Sequence, residues 1–320
     1  MSDIYSKDEH ENNEKNNYVF KLIKKPIFSL FIIGIIGLII RVYYFPFEIP
    51  IIYDGIDYFS YAVVINQQGH LPINWDLSNN GWPIFLSFFF SIFESQKFLE
   101  LTYLQRSLSI IISLLTIIPV YLLCSRFVKK QFAVIGAALF VLEPRIIMNS
   151  LLGIPEPAFI LLSTISLFLL LSKRHTIILI SFFTLALCST IRYEGFLLLF
   201  PFLIIFIIRF RKDRKIVQKT LLCIGIFVIT ISPVVYFMYE ATGNDGIIYP
   251  ILGGGIDYVS THIINEIPDI DDPIYGEDIE ENRLAKFFNI GVINTIKFLG
   301  WILIPTFLIF VPIGIIILFQ

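Results

Sequence analysis

The chain has 320 residues, is 56% hydrophobic, 16% aromatic and 16% charged, and carries a formal net charge of −2. Soluble domains run at about 45–50% apolar and about 25% charged, and 32 phenylalanines are more than a water-soluble core of this size can use, so a soluble enzyme and a disordered regulator are excluded. The near balance of 24 basic and 26 acidic residues gives no overall field to attract polyanions, which excludes a nucleic-acid binder.

A membrane-spanning helix needs about 20 mostly apolar residues. The pattern predicts an all-α fold, a polytopic membrane bundle of about eight transmembrane helices. Residues 1–24 are polar and rich in Asn, Lys and Glu, which predicts a disordered cytoplasmic tail. The membrane domain then covers 25–320. Lys21, Lys24 and Lys25 precede the first apolar run, 27–46. The run is too long for a cleaved leader and no small-residue cleavage site follows it, so it reads as a retained signal anchor. An outer loop, 47–81, comes next and carries short interfacial helices. Trp82–Phe93 is apolar but too short to span, and reads as a re-entrant or interfacial helix. Further spans are expected at 101–124, 132–150, 157–172, 176–191, 195–210, 216–239 and 298–319, with a second outer segment at 240–290.

Charge placement sets the orientation. Sixteen of the 24 Lys and Arg residues fall before the first apolar run and in 125–131, 173–175 and 209–219, and loop 47–81 has none. The positive-inside rule then puts both termini in the cytoplasm and the long loops outside. The expected location is the plasma membrane, with the chemistry on the extracytoplasmic side.

Three outer features carry candidate chemistry. The first loop contains Tyr53-Asp54-Gly55-Ile56-Asp57-Tyr58, where two acids three residues apart can share one helical face. Arg41, Arg106, Arg145 and Arg192 sit near outer span ends. Charge at membrane depth is costly and marks function, and Arg suits bidentate capture of phosphate. Gly153-Ile154-Pro155-Glu156-Pro157 adds a carboxylate between two spans. The same residues also fit a solvated acidic turn, cations reaching to headgroups and a first-turn helix acid. Cys124, Cys188 and Cys223 lie in apolar runs and read as small core- or lipid-facing residues. His10, His70, His175 and His262 have no ligand spacing. The acidic run Glu266–Glu281 lacks the pattern of a calcium loop, and Gly253-Gly254-Gly255 is not a nucleotide fingerprint.

The motifs in this order resemble those of the C-type membrane glycosyltransferases, and are similar to the dolichyl-phosphate-mannose-dependent protein mannosyltransferase and aminoarabinose transferase groups. Asp54, Tyr58 and Ala62 match a first-loop Asp-Glu-x-x-Tyr-x-x-x-Ala pattern. Gly69-His70-Leu71-Pro72, Gly81-Trp82-Pro83, Pro155-Glu156 and Arg192-Tyr193-Glu194-Gly195 match later parts. The likeness covers roughly residues 27–210. One departure stands out: Gly55 occupies the position of the second acid, with Asp57 as the nearby alternative.

The resemblance implies a polyprenyl-phosphate-linked sugar donor, inverting transfer at the outer face, and a protein, lipid or glycan acceptor, with the bilayer as the other partner. A phosphate departs without help from a proton, so one carboxylate base and several cations suffice, unlike the two-carboxylate scheme of glycosidases. Asp54 is the expected base and Asp57 its alternative or positioning partner. Arg145 and Arg192, with Arg106 as the weaker candidate, would hold the donor phosphate. Glu156, Tyr58 and Glu194 would orient substrate. No cofactor is required by the sequence, and a divalent cation is compatible with it. The competing readings are a secondary transporter and a non-catalytic flippase-like scaffold. Transporters place ionisable groups at mid-membrane, whereas here they gather at one face.

Overall fold

The computed structural model describes residues 26–93, 95, 97–250, 292–293 and 297. Contacts divide the chain into two units, Met1–Gly254 and Gly255–Gln320, and every helix named below lies in the first. The expected tail 1–24 and span 298–319 lie outside the described residues. So do the acidic run 266–281, Gly253–Gly255 and His262.

Among the described residues there is no strand. The helices are α1 (Pro26–Tyr43), α2 (Asp54–Gln68), α3 (Gly81–Phe93), α4 (Phe98–Leu115), α5 (Ile117–Cys124), α6 (Lys130–Val141), α7 (Pro144–Leu151), α8 (Glu156–Leu170), α9 (His175–Ile191), α10 (Leu199–Phe210) and α11 (Ile216–Thr242), with a 3-10 turn, Tyr193–Leu198, before α10. Four segments are long and apolar enough to cross a membrane: α1, α4 continued through α5, the 3-10 turn continued through α10, and α11. The protein is therefore a multi-pass membrane protein by the length and composition of its helices. On these helices the usual pattern is inverted. Only Gly37 and Arg41 of α1 are buried, while Phe31, Ile35 and Ile39 face outward, as lipid-facing helices require.

Three expected spans differ in form. Apolar residues run through 132–150, but the helix breaks after Val141, and α6 and α7 meet at a bend of 49°. Pro144 has no N–H to continue α6 and is preset for the first turn of a new helix. Glu143 caps that turn, its carboxylate accepting the Ile146 N–H at 2.8 Å. The helices α8 and α9 have 15 and 17 residues, about 22–26 Å at 1.5 Å per residue, short of the hydrocarbon thickness. The short helix expected at 82–93 is present as α3.

Helix α9 is the axis of the bundle. Phe182, Leu185, Ala186 and Cys188 are fully buried there, the first three packed with Phe202, Phe206 and Phe227 of α10 and α11. A second cluster docks the outer-loop helices on the bundle: Tyr58, Phe59 and Ala62 of α2 and Trp82, Leu86 and Phe90 of α3 meet Leu101, Ala158 and Ile191. Cys188 and Cys223 are buried and Cys124 partly so, in keeping with small packing residues. The far end of α8 is capped by cations. Arg209 donates to the Leu170 and Leu171 carbonyls at 2.7 and 2.9 Å, and Arg126 donates to Leu171 at 3.4 Å, which complements the negative end of the helix dipole.

Arg41 does not reach for headgroups. It is 0% exposed and donates to Ser150 (3.0 Å), Ser113 (3.0 Å), the Gly37 carbonyl (3.0 Å) and the Val141 carbonyl (3.2 Å). Val141 ends α6, so its carbonyl is one that the break releases, and in hydrocarbon such a group needs a donor. One guanidinium thereby ties α1, α4, α6 and α7 together. Arg41→Leu should lower stability by about 2–4 kcal/mol through the acceptors it strands, read as a fall in unfolding temperature in detergent. Arg41→Lys should not rescue it, because one ammonium cannot serve four acceptors on separate helices. Wild-type stability of the Lys variant would overturn the assignment.

Candidate active site

The Arg192-Tyr193-Glu194-Gly195 motif forms the corner between α9 and the 3-10 turn. Arg192 is extended (φ −143°, ψ 128°), and its N–H still closes the last turn of α9 on Cys188 at 3.0 Å. The chain then folds back onto that turn. A Cβ on Gly195 would sit 2.8 Å from the Ser189 nitrogen and 2.9 Å from its Cα, so only glycine allows the approach. The fold-back brings Glu194 alongside Arg192. The carboxylate takes the guanidinium side-on, Nε to Oε2 at 3.2 Å and Nη2 to Oε1 at 2.6 Å.

Glu156 reaches the same guanidinium from another helix. It opens α8 after Pro155, but it does not cap its own helix. Its Oε1 accepts from Nη1 of Arg192, and its Oε2 is buried with no partner. The motif acids of two separate segments thus meet on one Arg. Burial disfavours the Arg192 charge, but Glu194 and Glu156 outweigh it and hold the guanidinium above its ordinary pKa. It is charged at any working pH.

The first loop joins through α2. Tyr58 is 8% exposed and accepts a hydrogen bond from Nδ2 of Asn79 at 3.2 Å. Asn79 Oδ1 accepts the Tyr193 N–H at 3.0 Å, so one amide links α2 to the Arg192 corner. Burial raises the Tyr58 phenol above its ordinary value; Asn79 and Arg192 act against that, and the charges of Glu156 and Asp54 add to it. Asp54, Glu156 and Arg192 therefore all lie within electrostatic reach of one hydroxyl. Asp54 and Asp57 are both exposed on the first turn of α2.

Arg106 serves the outer loop instead of this cluster. Arg106 is 3% exposed and donates to the carbonyls of Leu151 (3.1 Å), Pro46 (3.4 Å), Ile49 (2.6 Å) and Pro50 (3.0 Å). It holds the start of the outer loop, and its donors are committed to neutral oxygens. Arg145 is exposed in the first turn of α7. Among the described residues, no three His, Cys, Asp or Glu side chains gather as metal ligands.

Asn79 was not among the residues singled out from the sequence. Its signal is conformational: φ is +66°, a region that Asn tolerates better than most residues, and Asn79-Asn80-Gly81 before an apolar helix spells a turn. The same is true of Gln105, fully buried, whose amide donates to the Gly55 and Gly153 carbonyls at 3.1 and 2.8 Å and seats the first loop against the Glu156 segment. Trp82 donates to the Gly153 carbonyl as well, at 2.9 Å.

A comparison with known families bears on this cluster. Residues 82–237 match the model of the dolichyl-phosphate-mannose-protein mannosyltransferase family. The family is one of membrane glycosyltransferases of the C type, in agreement with the resemblance of the motifs. The mannosyltransferase match takes in α3 to α11 with Glu156, Arg192 and Glu194; it begins after Asp54 and Asp57. No curated protein and no solved structure matches the chain.

Proposed function

We propose that the protein transfers a sugar from a polyprenyl-phosphate donor to an acceptor at the extracytoplasmic face of the plasma membrane, with inversion. The observation that carries the reading is the convergence on one corner: Arg192, held by Glu156 and Glu194 and linked through Asn79 to Tyr58 of the first loop, with Glu156, Arg192 and Glu194 inside the segment that matches a glycosyltransferase family. In this scheme Asp54 takes the proton of the acceptor nucleophile as it attacks the anomeric carbon. The bond from that carbon to the phosphate oxygen breaks on the opposite side. Arg192 receives the charge that develops on the phosphate, and such electrostatic stabilisation is often the largest catalytic contribution. Arg145 is a second contact for the phosphate, and Tyr58 and Glu194 orient the substrates. Arg106 has no part in this scheme, because its donors are committed to the loop. The scheme requires no cofactor, and a chelator added to the assay tests whether a divalent cation assists.

The wider arrangement belongs to the same proposal. Eight spans with both termini inside put the basic segments 125–131, 173–175 and 209–219 on one side and Arg192 on the other. The outward apolar faces of the spans receive the polyprenyl tail. The test is transfer of label from a radiolabelled polyprenyl-phosphate sugar in membranes containing the protein. Wild-type protein should transfer the label, and Arg192→Ala should lose transfer by about 10²–10³-fold, the usual cost of removing one transition-state donor. Label carried across sealed vesicles without transfer would overturn the reading in favour of a transporter.

A further inference from the structure

The two glutamates on Arg192 are not equivalent. Glu194 belongs to the same turn, which Gly195 presses onto α9, and it makes two bonds on the Nε edge. Glu156 comes from α8 and makes one contact, on Nη1. Its second oxygen is buried and unpartnered, which is a costly arrangement for a carboxylate. The Arg192 side chain is 24% exposed and that of Glu156 28%, so the pair is only partly sealed from solvent. Arg41 and Arg106, by contrast, are 0% and 3% exposed and bond neutral oxygens.

We propose that Glu156 is a displaceable occupant of the phosphate position on Arg192, while Glu194 is the fixed arm that aims the guanidinium. This rests on the donor reading above and deepens it. A donor phosphodiester carries one negative charge and takes the Nη1 end by displacing Glu156. The transfer step releases a phosphate monoester, which bears up to two negative charges and would remain on Arg192. Glu156 stays close by as a competing anion, and its return to Nη1 drives the lipid phosphate off. Glu156 is thus a positioning residue that governs product release.

The experiment measures binding of a short-chain polyprenyl phosphate to the purified protein in detergent, together with the time course of sugar transfer. Glu156→Gln should bind the lipid phosphate about 3- to 10-fold more tightly, the scale of a removed competing ion pair at a partly exposed site. Its later turnovers should be slower than its own first turnover, giving a burst that the wild type lacks. Glu156→Ala should tighten binding in the same direction, which separates loss of charge from any new bond made by the Gln amide. Glu194→Gln should weaken binding. Unchanged or weaker binding in both Glu156 variants, with Arg192→Ala still abolishing it, would overturn this inference alone. Wild-type binding in Arg192→Ala would overturn the phosphate reading itself.

Discussion

Asp54→Asn should reduce sugar transfer by about 10²–10⁴-fold, the range for a general base, with donor binding and unfolding temperature unchanged. Asp57→Asn should cost far less. The geometry of α2 separates the two acids. Helical residues advance by about 100°, so Asp57 lies about 60° around the axis from Asp54. The buried face of α2 is drawn by Gly55, Tyr58, Phe59, Tyr61 and Ala62, and on that wheel Asp54 falls between Tyr61 and Tyr58. Asp57 lies further round, toward solvent. Asp54 is also the acid whose charge acts on the Tyr58 hydroxyl. Isosteric Asn keeps the shape of the first turn and removes only the basic oxygen. Measured side by side in the label-transfer assay, a larger loss in Asp57→Asn would reverse the assignment.

Much of this site was legible because its motifs are local. Arg192-Tyr193-Glu194-Gly195 is one folded corner, so the spacing of charge and glycine already encodes the side-on ion pair. Pro155-Glu156 marks a helix start in the sequence, and a helix starts there. What the sequence did not yield is where long side chains spend their donors. Arg41, Arg106 and Arg192 look alike as isolated cations near span ends. Tertiary contacts alone make the first a tie between four helices, the second a loop clamp and the third the centre of an acidic cluster. A partial signal was available for the second. Thr102, Gln105, Arg106, Ser109, Ser113 and Thr116 recur at three- and four-residue steps along α4 and its end, and all are buried. A polar stripe inside a membrane span means an interior of hydrogen bonds, and an Arg on that stripe belongs to it. The break at Pro144 was missed for another reason: hydropathy averages over a proline, and the Glu143-Pro144 start signal is two residues long.

Gly55 is the position where sequence pattern and packing diverge most, and it carries the second large prediction. Compared with an Asp-Glu first-loop pattern, the chain has no acid at that position. The structure gives the glycine its own reason. Gly55 is buried against the turn that precedes α8, and a Cβ on it would lie 2.8 Å from the Leu152 carbonyl oxygen and 2.6 Å from Cγ2 of Ile51. The Ile51 methyl can shift, but the carbonyl belongs to the backbone that also presents Gly153 to Gln105 and Trp82. Gly55→Glu should therefore not restore a missing function. Overpacking a tight site costs about 1–3 kcal/mol, and a carboxylate forced into this buried contact adds a desolvation cost. The expected result is a loss of about 3 kcal/mol or more in stability, with α2 driven off the Glu156 segment and transfer lost along with it. Gly55→Ala, which adds the Cβ alone, should show the steric part of the loss without the charge. The readouts are unfolding temperature in detergent and label transfer. A Gly55→Glu protein that folds as the wild type and transfers sugar faster would mean that α2 can move away from Leu152. In that case the glycine would be a substituted acid after all, and the single-base scheme built on Asp54 would fall with it.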